Sequence, residues 1–234
     1  MKLAVDLHIH SCLSPCGEDE MTPNNIVGMA ALKGLGAIAV TDHNGYQNAA
    51  AVASVGSDMG LVVVPGMEVT DREEVHLLCY FPDVAALTAF GEIIQSHLPG
   101  IPNRPDYFGS QIIMNEMDEP MGTLDPLLIP GISLSMEEVY SLAREHGGVM
   151  VPAHINRGSH SILANLGFMP AFPPFPAVEA VKEGLPLPDL TDKLVLRSSD
   201  AHNLGAILEQ EFFLEVEQPS AKGILDVLAK GLKK

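Results

Sequence analysis

Tryptophan is absent from this 234-residue chain, aromatic residues make up only 5% of it, and there are three cysteines. The aromatic shortage says little about function. Cysteines in so small and odd a number (Cys12, Cys16 and Cys79) do not build a disulfide framework, so a reducing, cytoplasmic setting is expected. Cys79 lies in the apolar run His76 to Phe81 and reads as a packing residue. No run reaches the ~18 apolar residues that a membrane span requires. The opening Met-Lys-Leu-Ala-Val-Asp carries no apolar stretch of the kind found in a signal peptide, so none is expected. Positive charge is scarce: 13 basic side chains face 30 acidic ones, for a formal charge of -17. Such a surface repels nucleic acid and anionic membranes unless bound cations reverse the field locally. It favours solubility and a small substrate.

What is present is a core-forming chain, 47% hydrophobic with 21 glycines. Barrels of this length commonly fold as one domain, expected here over residues 1–234. Strand patterns at 3–9, 37–40, 61–65, 75–81, 148–153, 177–181, 194–198 and 212–216 alternate with helical ones. Thr22-Pro23 opens a helix that ends near Gly34, and an Ala-rich helix is expected over 45–56. Asp83 caps a helix to His97, Ser135 with Glu138 forms a capping box for the next, and a last helix runs from about Ser220 to Lys233. Residues 99–134 break the rhythm as a proline- and glycine-rich excursion with one short helix near Ser110 to Met117. Strands separated by helices imply parallel β/α units. Seven or so of them suggest a barrel, whose chemistry would sit at the C-terminal strand ends.

Six of the nine histidines fall at those ends, mixed with carboxylates. His8 and His10 are two apart on a strand, so both leave one face, with Cα atoms about 6.6 Å apart at ~3.3 Å per residue. That spacing suits chelation of one cation, and Asp200-Ala201-His202 repeats it. Glu68 introduces a charge after the run Leu61 to Gly66, and a buried Glu needs a partner. His43, His76 and His154 would each read alone as a satisfied core or surface histidine; within the set they read as ligands. Neutral imidazole and carboxylate are the donors that hold Zn, Mn or Fe. Asp42 either orients an imidazole or caps the helix starting near Gly45. His97 and His146 sit at helix ends and read as structural. His160 reads as an exposed loop residue. Arg157 is a candidate phosphate anchor and Arg104 a weaker one.

The motifs Asp6-Leu-His8-Ile-His10-Ser11, Thr41-Asp42-His43-Asn44, Gly66-Met67-Glu68, His76, His154 and Ser199-Asp200-Ala201-His202 resemble those of the polymerase and histidinol phosphatase (PHP) superfamily. The resemblance spans residues 3–202. It implies a distorted (β/α)7 barrel carrying two or three divalent metals. By position, His8, His10, Glu68 and Asp200 would hold the first metal, and Glu68 would bridge to a second held by His76 and His154. His43 and His202 would belong to a third, with Cys16, or Glu18 or Asp19, where relatives place a further ligand. The implied activity is that of a small stand-alone phosphoesterase. A metal-bound hydroxide would cleave a small phosphate monoester, with Asp200, His202 and Arg157 assisting. Phosphodiester or exonuclease chemistry in the same site, amide-bond hydrolysis and a non-catalytic metal-binding regulatory module are the alternatives. Nucleic acid and membrane are not expected as partners.

Overall fold

The structure is a computed structural model and describes residues 1–231. Strand β1 (Lys2–Ile9) leads to α1 (Pro23–Leu32), β2 (Ala37–Val40), α2 (Ala49–Met59), β3 (Val62–Val63), β4 (Gly66–Thr70), β5 (His76–Tyr80) and α3 (Val84–Ser96). Then come α4 (Pro105–Phe108), β6 (Ile112–Met114), β7 (Pro120–Thr123), α5 (Met136–Glu145), β8 (Val149–Pro152) and α6 (Ile162–Asn165). The chain finishes with β9 (Ala177–Glu179), β10 (Leu194–Leu196), a 3-10 turn, β11 (Phe213–Glu215) and α7 (Ala221–Lys230). The last helix ends at Lys230 with Gly231 as its C-cap, and Lys233, to which it was expected to run, lies outside the described residues. The helix starts follow the caps: Thr22, Asp83 and Ser135 each accept a first-turn backbone N–H, and Glu138 completes the capping box.

The strand pairing departs from the parallel units that the alternation of elements predicts. β1–β2, β2–β3 and β9–β10 are parallel, but β1–β11, β4–β5 and β5–β8 are antiparallel. The ladders form four sheets, in the orders β11-β1-β2-β3, β10-β9, β4-β5-β8 and β6-β7, and among the described residues they do not close into one barrel. The local cause is the short turn over 71–75. A parallel crossover needs about a dozen residues or more, so β5 can only return beside β4. Two further expectations fail locally. β3 ends at Val63, ahead of Pro65, and Gly66 starts a separate strand, so Glu68 lies inside β4 rather than beyond a strand's end. Residues 110–117 form a strand and turn rather than a helix. Gln111 and Asp118 have φ of 50° and 58°, incompatible with a helix, and Ile112 N and Met114 N donate to Cys12 O and Asn48 Oδ1 instead.

Three of the four sheets nevertheless share one core, to which β6 and β7 contribute no residue. Leu3, Val5 and Leu7 of β1 pack with Ala39 of β2, Leu78 and Tyr80 of β5, Val151 of β8, Ala177 of β9 and Leu196 of β10, with α7 covering them through Ile224 and Leu228. At about 1.5–3 kcal/mol per large buried side chain, this shared core holds the sheets together where ladders do not. The outer faces pack on helices: Met67, Val69 and Leu77 with Leu87 and Phe90 of α3 and Val139 of α5, and Ile9, Ile38 and Val40 with Ile26 of α1 and Val52 of α2. The β1–β2 register shifts between Asp6 and Ile9. Past that shift Ile9 joins the α1–α2 side, and His8 and His10 turn toward the end of the central core.

The turn at 71–75 sets the β4–β5 register, pairing Thr70 with His76 and Glu68 with Leu78. Asp71 builds it by accepting Val75 N at 2.8 Å, while its Oδ2 has no hydrogen-bond partner. Burial pushes the Asp71 carboxyl up to about 7. Its folded value therefore exceeds its unfolded one, and this group's contribution to stability is lost as pH rises from about 4 through about 7. Asp71→Asn keeps the acceptor and removes the charge. Relative to the parent, its Tm should rise between pH 5 and pH 8; an offset independent of pH would contradict this.

Candidate metal centre

Glu68 is fully buried, and its carboxylate has five imidazoles around it. His76 Nδ1 lies 2.9 Å and His43 Nδ1 3.0 Å away, with His8 Nε2 at 3.3 Å, His154 Nε2 at 3.3 Å and His10 Nε2 at 3.4 Å. Each arrives from a different part of the fold. His76 is a diagonal neighbour across the β4–β5 pair, on the same face as Glu68. His154 follows β8, where Ala153 N bonds His76 O. His43 follows β2 and bridges to Glu68 through its backbone. His8 and His10 come from the end of β1. The loop bearing Asp200 is tied to that end: Ala201 N donates to His8 O, His10 N to Ala201 O, and Ser199 N to the buried Asp6 carboxylate. Asp200 Oδ1 thereby sits 3.0 Å from His10 Nε2 and 3.2 Å from His8 Nε2.

These donors converge without satisfying one another. Both oxygens of Glu68, Nδ1 of His43 and both ring nitrogens of His76 and His154 are buried without a hydrogen-bond partner among the described residues. At about 1–3 kcal/mol for each such group, the cluster would weigh heavily on a fold worth only ~5–15 kcal/mol. Divalent cations fit the donor set, since imidazole nitrogen and carboxylate oxygen supply the lone pairs they take. Three groups of donor atoms lie within 4.8 Å of one another: His8, His10, Glu68 and Asp200; His43, Glu68 and His76; and His10, Cys16, His43 and His202. The backbone carries strain at the same place. His154 and Asp200 have φ of 27° and 52°, a conformation that costs a non-glycine residue about 1–3 kcal/mol.

Electrostatics follow from burial. Burial alone would strip the proton from His8, but Asp200, Glu179 and Glu68 hold its pKa well above the imidazole value. Burial opposes the ionised form of Glu68 too, yet His76, His8 and His43 keep it well below the usual carboxylate range. Asp200 is lowered in the same way by His8 and His10, against its own desolvation. His43 is pushed well below the usual value by burial, with Glu68 opposing and His10 and His76 adding to the shift. His202 is lowered by burial and by His10. Its Nδ1 donates to Asp200 O at 2.7 Å, which leaves Nε2 as the free lone pair.

Burial also shows where the centre opens. His8, His10, Glu68 and His154 are enclosed, whereas Asp200, His202 and Arg157 are half-buried and Cys16 and His160 exposed. Arg157 pairs with Asp200 Oδ2 at 2.6 Å. His160 stacks on His76 at 4.8 Å, closer to the centre than an ordinary loop histidine. Although Cys16 is exposed as a residue, desolvation where its thiol faces the donor group, with the charges of Glu68 and Asp200 adding, pushes it up to about 12. Glu18 reaches His202 only by its backbone, at 2.9 Å, and with Asp19 it is exposed. His97 bonds Ser133, His146 bonds Leu142 O, and Arg104 lies over Tyr107; none joins a donor group. Asp42 does not cap α2 and touches no imidazole directly. It accepts Ser11 N, Ser11 Oγ and Ser14 Oγ, while the α2 cap position is Asn48. Sequence reasoning missed Glu179, whose carboxylate accepts His8 Nδ1 at 3.0 Å and His154 N at 2.9 Å. The signal was a lone acid ending the apolar run of β9, the same signal that singled out Glu68.

The PHP domain family matches residues 6–146, more than half of the chain. No curated protein matches the sequence. Among solved structures, the lesion-specific endonuclease EndoQ from Pyrococcus furiosus aligns with a TM-score of 0.71 at 20% identity, over 100% of this chain and 57% of its own. A Bifidobacterium adolescentis protein classed as a metal-dependent phosphoesterase aligns with a TM-score of 0.61 at 20% identity, over 98% of this chain and 96% of its own. A two-domain protein from Bacteroides vulgatus that contains a PHP-like metal-dependent phosphoesterase gives 0.56 at 17% identity, over 98% and 63%. At these identities the likeness is one of fold.

Because Asp200, Glu179 and Glu68 raise the His8 pKa well above the imidazole value, against its burial, cation binding there should release a proton. Titration of Mn or Zn calorimetrically at pH 7, in buffers of different ionisation enthalpy, should show net proton release, and affinity should fall as pH is lowered. Buffer-independent heats would contradict the arrangement.

Proposed function

This chain belongs to the PHP domain family, and from that premise we propose that it is a metal-dependent phosphoric ester hydrolase acting on small phosphate monoesters. The observation that carries the reading is the buried Glu68 carboxylate, which has five imidazoles around it and whose two oxygens, with ring nitrogens of His43, His76 and His154, are unpaired among the described residues, a donor set that suits two cations. His8, His10, Glu68 and Asp200 would hold the first and Glu68, His76 and His154 the second, with His43 in reach of the same carboxylate. His10, His43, His202 and Cys16 would hold a third. Bound divalent cations of the Zn, Mn or Fe type supply Lewis acidity toward phosphoryl oxygen and make water nucleophilic at neutral pH.

The chain's own groups do the rest. Arg157, held by Asp200 at the mouth, presents its guanidinium to the equatorial phosphate oxygens, whose geometry its fork matches. His202, lowered by burial and by His10 and with Nδ1 on Asp200 O, would accept a proton at Nε2 from the attacking water and return it to the leaving alkoxide. Asp200, kept ionised by His8 and His10, orients and does not carry the proton. The enclosed side, lined by His8, Glu68 and His154, keeps bulk water off the reacting groups.

A small monoester suits the charge. Holding a nucleic acid backbone takes several Lys or Arg contacts. Here 13 basic side chains stand against 30 acidic ones, and among the described residues Arg157 is the one Lys or Arg side chain paired with the donor set. A cytoplasmic setting accords with three free cysteines.

Purified protein loaded with Mn or Zn should release phosphate from a panel of small monoesters and leave bis(p-nitrophenyl) phosphate largely intact. Preference for the diester or for DNA would replace this reading with a nuclease one. Stoichiometric metal with no cleavage of either class would indicate a non-catalytic module. Asp200→Asn should abolish turnover. Arg157→Ala should keep its metals and lose about tenfold to hundredfold in kcat/KM, from a charge-assisted contact of ~1.5–3 kcal/mol.

A further inference from the structure

The imidazoles of His8 and His10 both offer Nε2 to the centre, and each must carry its proton on Nδ1 to do so. For His8 the cause is direct, since Nδ1 faces the Glu179 carboxylate, which can only accept when ionised. His10 has no such partner. Its Nδ1 lies 3.0 Å from the hydroxyl of Ser14, a group able to donate as well as accept. A hydroxyl free to rotate would leave the His10 tautomer undetermined.

Ser14 is not free. Its Oγ donates to Asp42 Oδ1 at 2.7 Å, and the backbone N–H of His43 donates to it at 3.1 Å. One proton and one lone pair are thereby engaged, and the remaining lone pair faces His10 Nδ1. Asp42 is itself fixed by Ser11 N at 2.7 Å and Ser11 Oγ at 2.6 Å, and the Ser11 hydroxyl accepts from Asn48 Nδ2. Ser11, Ser14, Asp42 and Asn48 are all fully or almost fully buried, so water does not compete for these bonds.

We propose that Ser14 is a positioning residue of the metal centre. Its hydroxyl, oriented by Asp42, accepts from His10 Nδ1–H so that Nε2 is the atom presented to Asp200, Glu68 and a bound cation, and the same oxygen fixes the backbone of His43. The inference rests on the metal-hydrolase reading for its purpose, not for its geometry. One oxygen therefore sets two imidazoles that come from different strands and that meet in the donor group of His10, Cys16, His43 and His202. Loss of an outer partner of a ligand histidine typically lowers metal affinity about 10–100-fold.

The test begins on the metal-free, full-length wild-type protein. Imidazole 1H and 15N shifts should report a proton on His10 Nδ1, whatever Nε2 carries beside Asp200, and a ring with a bare Nδ1 would overturn the proposal whether or not the protein is a hydrolase. Ser14→Ala should shift His10 toward a mixture of tautomers and weaken Zn binding about 10–100-fold, while Ser14→Thr should restore both. Should Ser14→Ala fail to fold, the wild-type tautomer and the Asp42→Asn variant, which removes the charge that orients the hydroxyl, still decide. An unchanged His10 ring in Asp42→Asn, with unchanged Zn affinity, would contradict the relay. A wild-type protein with the predicted tautomer but no affinity for Zn or Mn would instead count against the function proposed above.

Discussion

A single buried carboxylate sets the terms for the rest of the molecule. Glu68 lies in β4 with five imidazoles within 3.4 Å, and neither of its oxygens makes a hydrogen bond. Burying an anion in this way is expensive unless partners answer its charge. Three kinds of structural effort surround it: the short turn at Asp71 that fixes the β4–β5 register, the strained backbones of His154 and Asp200, and the bonds from Asp6 and Ser199 that dock the Asp200 loop on β1. Each brings donors from distant parts of the sequence to within bonding reach of one place. Cations bridged by Glu68 would complete what the protein groups leave unpaired.

Around that centre the protein has two shells of different character. Inside, Glu179 and the Asp42–Ser14 pair take up the outer nitrogens of His8 and His10, so these rings face inward with a defined atom. Outside, Arg157, His202, Cys16 and His160 form the open side, where a substrate would enter. A strongly acidic chain could accept a phosphate there if bound cations, with the Arg157 guanidinium, reversed the field locally.

Much of this was legible in the sequence. His8, His10, Glu68, His76, His154, Asp200 and His202 stood out because imidazoles and carboxylates kept appearing at the ends of apolar runs, and all of them meet in space. Helix starts were readable from Thr22, Asp83 and Ser135 because capping is local. What the pattern could not supply was pairing. Alternation of strands and helices implied parallel units, but the five residues from Asp71 to Val75 force an antiparallel return, and the ladders stay in separate sheets. The 110–117 segment was misread because its strand bonds go to Cys12 and Asn48, far away in sequence. Glu179 was overlooked although it obeys the rule that identified Glu68. Ser14 offers no signal of its own, since a serine becomes a relay only through what folds against it.

The central claim is that Glu68 lies between two cations. Anomalous diffraction from crystals of the metal-loaded protein, recorded at the Zn and Mn absorption edges, tests this most directly. The account predicts one peak bounded by His8, His10, Glu68 and Asp200 and a second on the other side of the Glu68 carboxylate, beside His76 and His154. A loaded crystal with no peak touching Glu68, or with its carboxylate hydrogen-bonded to the five imidazoles instead, would contradict it.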